Sequence, residues 1–500
     1  MLIEPKLSSR AALLVFVSLA CRPVCNAQKV SVAWDKVERV SNTTATLQVV
    51  VNPPLRPGSA IHDRAFAELK ALGADYVRYV PWLPYPKLAV AELEPPSEDK
   101  TSWDFSLIDP MTIDFFRATA GHSTILNFST IPAWMFKTQK PVAYPQDPDA
   151  VTWDYTQGTE LRDPSMKELS GYYARLVSWY VNGGFTDELG KRHDSGHHFE
   201  IPYWEVFNEV DFEHNTTPEQ YTARYDAVVS AIHKVSPKTR FVGLALAMPS
   251  LRPEMFEYFL NHKNHQPGIP LDMISYHFYA SPAPDETPEV QQYTFFAQAD
   301  GFLNTTRYIE QIRKRLSPET RTTIDEIGCI SADDGEQGKP GHVTAPIPDS
   351  YWNLCGATYA YVFGNLASMG IDVAGESQLV GYPTQFPSVT MLDWNTGAPN
   401  ARFRVLELLT NNFGPGDKIV ATTSNASELY ALGFLTRNGD HKLLLINKRA
   451  HDLAVTLPQK AGQIQSVDLT TGGGPIAKQS VDTAQITLRP YSVTVATIQK

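Results

Sequence analysis

Cysteine is scarce in this chain: 4 among 500 residues, which excludes a disulfide-dense scaffold. Basic residues are outnumbered, with 43 Lys and Arg against 54 Asp and Glu and a net charge of −11. No basic block interrupts that balance, so nucleic acid and anionic membrane surfaces are poor partners. After the first twenty residues no apolar run approaches membrane-spanning length. No G-x-G-x-x-G or Walker-type loop follows a strand-like run, which removes the best support for nucleotide binding. H-E-x-x-H and G-x-S-x-G are missing as well, so zinc-protease and serine-elbow chemistry have no motif. His193, His197 and His198 are spaced as metal ligands could be, but their polar, glycine-containing segment reads as a solvated loop. No metal and no cofactor is implied.

What is present is ordinary globular composition, 43% hydrophobic and 19% charged. Aromatic residues are plentiful (9 Trp, 22 Tyr, 23 Phe), as expected of aromatic-lined sites. Residues 1–27 read as a secretory signal: Lys6 and Arg10, then the apolar run 11–20, then Cys25-Asn26-Ala27 with small residues before a cleavage point. The mature chain is expected to begin near Gln28, in the extracellular space or periplasm; the alternative is an uncleaved anchor or a buried helix. Cys21 and Cys25 leave with that segment. Cys329 and Cys355 remain, either as a pair or as two buried thiols. Five N-x-[ST] sequons occur; Asn127 lies in an apolar strand-like run and is expected to be inaccessible.

Eight short apolar runs recur at long intervals: 45–51, 75–80, 123–128, 202–207, 240–246, 272–279, 321–328 and 370–377. Helical patterns fall between them, over 64–73, 164–183, 217–237, 252–263, 305–318 and 350–370, and a last one over 400–414 follows the eighth run. The alternation predicts an α/β fold, a (β/α)₈ TIM barrel over about residues 44–414. That exceeds a minimal barrel, and the excess is expected in loops 129–163, 280–300 and 329–349, on the face where barrel loops build sites. From 415 to 500 the helical pattern gives way to short strands between turn residues, an antiparallel β-sandwich. Residues 28–43 are expected to add a strand to it.

Two strand ends carry the chemistry. The fourth run ends Trp204-Glu205-Val206-Phe207-Asn208-Glu209, and the seventh ends Thr323-Ile324-Asp325-Glu326-Ile327-Gly328. In a closed barrel, strands four and seven face each other across the mouth. Retaining glycoside hydrolysis needs two carboxyl groups roughly 5–5.5 Å apart. Asp325 has the opposite strand parity from Glu326 and is expected to point toward the helices unless a bulge intervenes. Glu205 shares parity with Glu209 one layer deeper, as a barrel-interior partner. Glu376, ending strand eight, is a further pocket candidate. Trp82, Trp134 and Trp394 follow strands two, three and eight and are candidates to stack on a sugar face, with loop packing as the rival role.

At these residues the chain resembles a family. EVFNEVD (205–211) resembles the acid/base signature of clan A glycoside hydrolases, and IDEIG (324–328) is similar to their nucleophile strand. DMISYHFYA (272–280) and the run 391–414 resemble the clan's sixth strand and last helix, and family 39, the β-xylosidase and α-L-iduronidase family, is the nearest likeness. Phe207 and Val210 depart from the clan pattern, which usually has Trp and Pro there. The resemblance implies Glu326 as nucleophile and Glu209 as acid/base. It also implies Asn208 at the sugar 2-hydroxyl, Tyr279 hydrogen-bonded to Glu326, His277 lining the same pocket, and Arg78 keeping Glu326 ionised. The implied partner is a glycoside, oligosaccharide or polysaccharide. Three functions stay open: an exo-acting glycosidase of the xylosidase or iduronidase kind, an endo-acting glycanase, and a non-catalytic carbohydrate-binding protein on a decayed barrel.

Overall fold

A computed structural model describes residues 27–140, 142–153, 158–337, 339 and 341–499. The expected signal, residues 1–27, lies outside them except for Ala27. Among the described residues no helix is long and apolar enough to cross a membrane.

The strands, in chain order, begin with β1 (Gln28–Val40), β2 (Thr44–Val50), β3 (Val77–Val80) and β4 (Thr124–Leu126). A small hairpin, β5 (Gly184–Thr186) and β6 (Arg192–Asp194), precedes β7 (Tyr203–Glu205), β8 (Arg240–Leu246), β9 (Met273–Ala280), β10 (Arg321–Cys329) and β11 (Val373–Glu376). Strands β2, β3, β4, β7, β8, β9, β10 and β11 close into a parallel barrel in chain order. Parallel strands covered by helices are buried on both faces, which is why they read as apolar runs; in β8 every residue after Arg240 is buried.

Helices Lys167–Val181, Pro218–Val235 and Asp349–Met369 lie where the periodicity placed them. The second starts from a capping box in which Thr217 and Gln220 satisfy each other's backbone N–H. Two segments differ from expectation. Asp109–Ala118 is helical although it was not in the expected series. Residues 280–300, expected as an inserted loop, enter a 29-residue helix at Pro288. Pro288-Glu289 is a first-turn signature, and Phe295, Ala299 and Phe302 keep helical spacing; the acidic, proline-rich stretch before them obscured both signals.

The remaining strands are β12 (Lys418–Ser424), β13 (Leu429–Leu435), β14 (His441–Asn447), β15 (Leu453–Val467), β16 (Ala477–Leu488) and β17 (Val493–Ile498). They form one sheet in the order β1-β12-β13-β14-β17-β15-β16. The sheet folds over so that β1 also pairs with β15 at Gln28 and Lys29. Strand alternation gives it two apolar faces. In β14, Leu443 and Leu445 enter the core inside the fold, while Leu444 and Ile446 join the core shared with the barrel. Cys329 and Cys355 are buried free thiols.

Candidate active site

Both glutamates sit where a strand departs from regular geometry. Beyond β7, Phe207 and Glu209 adopt positive φ of 67° and 40°. This breaks the strand's alternation, so the adjacent Asn208 and Glu209 both line one cavity. The Glu209 amide donates to the Ala245 carbonyl at 2.8 Å, anchoring the turn on a bulge in β8. On β10 the register shifts between Thr323 and Glu326 against β9, and between Ile324 and Ile327 against β11. That bulge turns Asp325 inward, against the parity expectation: it lies 3.5 Å from both Arg78 Nε and His277 Nε2. Gly375 opposite makes room, since a Cβ there would sit 3.0 Å from the Asp325 carbonyl oxygen.

Arg78, on β3 and fully buried, organises the floor. It donates to Glu205 Oε2 and Glu326 Oε1, each at 2.5 Å, and to Gln48 Oε1 and Asn208 Oδ1, each at 2.7 Å. Glu205 is also held by Ser275 and by Asn127 Nδ2 at 2.6 Å, so the Asn127 sequon is buried. Tyr279 donates to Glu326 Oε2 at 2.5 Å and lies 2.7 Å from Ser377 Oγ. His277 Nδ1 is 3.0 Å from Glu209 Oε1 and 3.6 Å from Glu326 Oε2. Facing ligand atoms of Glu209, His277 and Glu326 all lie within 4.8 Å of one another.

These contacts set opposite protonation tendencies. Burial raises the Glu209 pKa above the usual carboxylate value, and the Glu326 charge adds to it, outweighing the His277 contact. Burial pushes Glu326 the same way, but His277, Arg78 and Tyr279 together hold it below the usual value. Burial disfavours protonated His277, yet the surrounding Glu326, Glu209 and Asp325 lift it to about 9. One carboxyl therefore tends to stay protonated and the other ionised, the division of states that acid–base chemistry on a substrate needs.

The cavity above them measures about 600 Å³, within the usual range for small-molecule sites. Asn208, Glu209, Tyr279, Glu326 and Trp82 line it; Arg78 and His277 support it from below. Trp134 and Trp394 do not line it. Trp134 donates to the Glu92 carbonyl and packs under the Arg162 guanidinium, and Trp394 rests against the barrel core. Glu376 is also elsewhere, paired with buried Arg402 at 2.9 Å. The histidine cluster disperses: His193 pairs with Asp187 and His197 with Asp109.

Sequence reasoning missed several lining residues. Trp153 and Phe386 come from the long loops and pack on Trp82 at 5.4 and 6.0 Å between ring centroids. Glu213 accepts from Trp82 Nε1 at 2.6 Å and Asn208 Nδ2 at 2.9 Å, and burial raises its pKa to about 8. Only the closeness of Glu213 to Glu209 in sequence hinted at it.

A parallel eight-stranded barrel that brings two strand-end glutamates together over a buried arginine is the clan A arrangement, and the chain is a glycoside hydrolase of that class. More narrowly, residues 157–327, which contain both glutamates, match the family model described as Glycosyl hydrolases family 39, and over that stretch the chain is similar to that family. Residues 426–496 match a second model, described as the D-apionate lactonase C-terminal immunoglobulin-like domain. No curated protein matches. Among solved structures, the GH51 arabinofuranosidase from Xanthomonas axonopodis pv. citri is similar at TM-score 0.65 and 12% identity, over 95% of this chain and 100% of that one. The GH51 α-L-arabinofuranosidase from Thermotoga petrophila RKU-1 gives TM-score 0.60 and 14% identity, over 95% and 100%. A GH30 endoxylanase from Clostridium papyrosolvens C71 gives TM-score 0.57 and 14% identity, over 94% and 100%. These likenesses carry the fold.

Proposed function

We propose that the chain is an exported, retaining, exo-acting glycoside hydrolase that takes a neutral sugar. The observation that carries the mechanism is the approach of the Glu209 and Glu326 ligand oxygens to within 4.8 Å. Inversion needs a water between carboxyl groups roughly 6.5–9.5 Å apart, and that gap is too wide for this pair. In the first step Glu326 attacks the anomeric carbon and forms a glycosyl ester, while Glu209 gives its proton to the departing oxygen. In the second, Glu209, now a carboxylate, takes a proton from water, and the hydroxyl displaces Glu326. Arg78 and Tyr279 orient Glu326 and keep it ionised before the attack and again after the ester is hydrolysed.

A neutral sugar fits better than a uronic acid because, among the described residues, no Lys, Arg or His lines the cavity to receive a sugar carboxylate, while Glu326 faces it as an ionised carboxylate. This favours a xylosidase-like over an iduronidase-like substrate. The compact cavity, walled by Trp82, Trp153 and Phe386, supports exo action. Export rests on the signal-like residues 1–27, and N-terminal sequencing of the mature protein should begin near Gln28.

The decisive experiment is turnover of aryl glycosides of several sugars and both anomers by the wild type, Glu326→Ala and Glu209→Ala. The Glu326 variant should be silent. The Glu209 variant should lose roughly 10²–10⁴-fold and recover with azide, giving a glycosyl azide of retained configuration. Undiminished turnover in Glu326→Ala would sink the assignment. Activity confined to polymers would replace exo by endo action, and sugar binding without turnover would favour a binding protein.

A further inference from the structure

The two ends of the cavity differ in chemistry. Around Glu326 the walls carry hydrogen-bonding groups: Tyr279 donates to its carboxylate, and Gln48, Ser377 and Asn208 line the same cavity. On the Glu209 side the walls are apolar and open. Phe212 lines the cavity with 67% of its surface exposed, and Met248 lines it with 39% exposed. Leu251, 68% exposed, follows in the same turn, its amide bonded to the Met248 carbonyl at 3.0 Å. Phe212 and Met248 are exposed large apolar side chains at the cavity itself, and such side chains mark a surface that something apolar covers.

This patch is built rather than loose. The amides of Phe212 and Glu213 both donate to the Glu209 carbonyl at 2.7 Å. The buried Asp211 carboxylate crosses to the next loop and accepts from the amides of Ala247 and Met248 at 3.0 and 2.9 Å. One aspartate therefore ties the loop after β7 to the loop after β8, and fixes Phe212 and Met248 beside the carboxyl group that faces the leaving group.

The position identifies the occupant. The acid protonates the glycosidic oxygen, so whatever that oxygen is bonded to must lie on the Glu209 side. Phe212 and Met248 offer no hydrogen bond to the hydroxyl groups of a further sugar ring, whereas an apolar ring would take their exposed surface out of water. We propose that this side is a subsite for an apolar, ring-bearing aglycone, and that the substrate is a small glycoside of an aromatic alcohol or phenol rather than a polysaccharide. The inference rests on the hydrolase reading above and extends it to the leaving group.

The test compares three glycosides of the one sugar that the enzyme accepts, with methanol, 2-phenylethanol or a second sugar as the leaving alcohol. All three leave as alkyl alcohols, so acidity of the leaving group does not decide the result. The 2-phenylethyl glycoside should exceed both others in kcat/KM by roughly tenfold or more, the scale of apolar-pocket discrimination. In the double variant Phe212→Ser, Met248→Ser that ratio should collapse toward one, mainly through KM. Both side chains are substantially exposed, so the fold does not depend on them, and an unchanged circular dichroism melt confirms this. Turnover without aglycone preference, preference for the disaccharide, or a ratio that survives the double variant would each overturn the inference and leave the hydrolase reading standing. No turnover of any glycoside would overturn both.

Discussion

At the residue scale the site depends on one buried cation. Arg78 meets Glu205, Glu326, Gln48 and Asn208 with separate N–H groups, a geometry that only a planar guanidinium provides. Arg78→Lys should keep the charge but lose the fork, lowering kcat/KM and moving the acid limb of the pH profile upward as Glu326 loses the guanidinium hydrogen bond. Arg78→Met should cost about 3–5 kcal/mol of stability, because Glu205 and Glu326 would stay buried without a partner; denaturant titration measures it. The wild-type profile has a calculable sign. The proposed mechanism requires ionised Glu326 and protonated Glu209. It should fall on the acid side only below the depressed Glu326 pKa, and on the alkaline side only above the elevated Glu209 pKa. Assayed on an aryl glycoside with an activated leaving group, Glu209→Gln should lose the alkaline limb and keep the acid one.

At the element scale the site is made by irregularity. A regular β10 would send Asp325 and Glu326 to opposite faces; its bulge sends both inward. The bulge is tolerated because Gly375 on β11 has no side chain to collide with Asp325. Gly375→Ala should therefore displace the β10 backbone, cost about 1–3 kcal/mol of stability, and depress kcat because Glu326 moves with it. If thermal melting dropped while kcat held, the bulge would have no part in placing the nucleophile. The turn beyond β7 works similarly, with positive φ at Phe207 and Glu209 placing two neighbouring side chains on one wall.

At the scale of the whole molecule the barrel and the terminal sheet share one core. Ile419, Phe434, Leu444, Ile446, Val493 and Val495 of the sheet belong to the same cluster as the barrel residues Val405, Leu408 and Leu409. Arg39 of β1 donates to the Ser368 carbonyl and Arg404 to the Gly473 carbonyl, adding polar ties across the seam. Such a shared apolar face makes the two parts cooperative. Scanning calorimetry should show one unfolding transition for the full chain, and a chain ended after Gly414 should be insoluble or molten because its outer helices lose their cover. Two well-separated transitions would show that the parts fold independently.

Much of this was legible in the sequence. The eight apolar runs became the eight barrel strands, because parallel strands buried on both faces cannot hide their composition. Glu209 and Glu326 stood out because strand order alone puts the ends of strands four and seven across from each other. Glu205 was readable as a barrel-interior residue, and it is held there by Arg78, Asn127 and Ser275. Tertiary structure alone decided the rest. Asp325 turned inward through a bulge, which depends on a neighbouring strand's glycine and not on the local pattern. Trp134 and Trp394 left the cavity while Trp153, Phe386, Phe212 and Met248 entered it, because long loops fold against one another and carry no periodicity to read. The sequence determined which elements form and which carboxylates meet, since both follow from burial and alternation along the chain. Which side chains surround those carboxylates, and with what protonation, was decided only where distant segments came into contact.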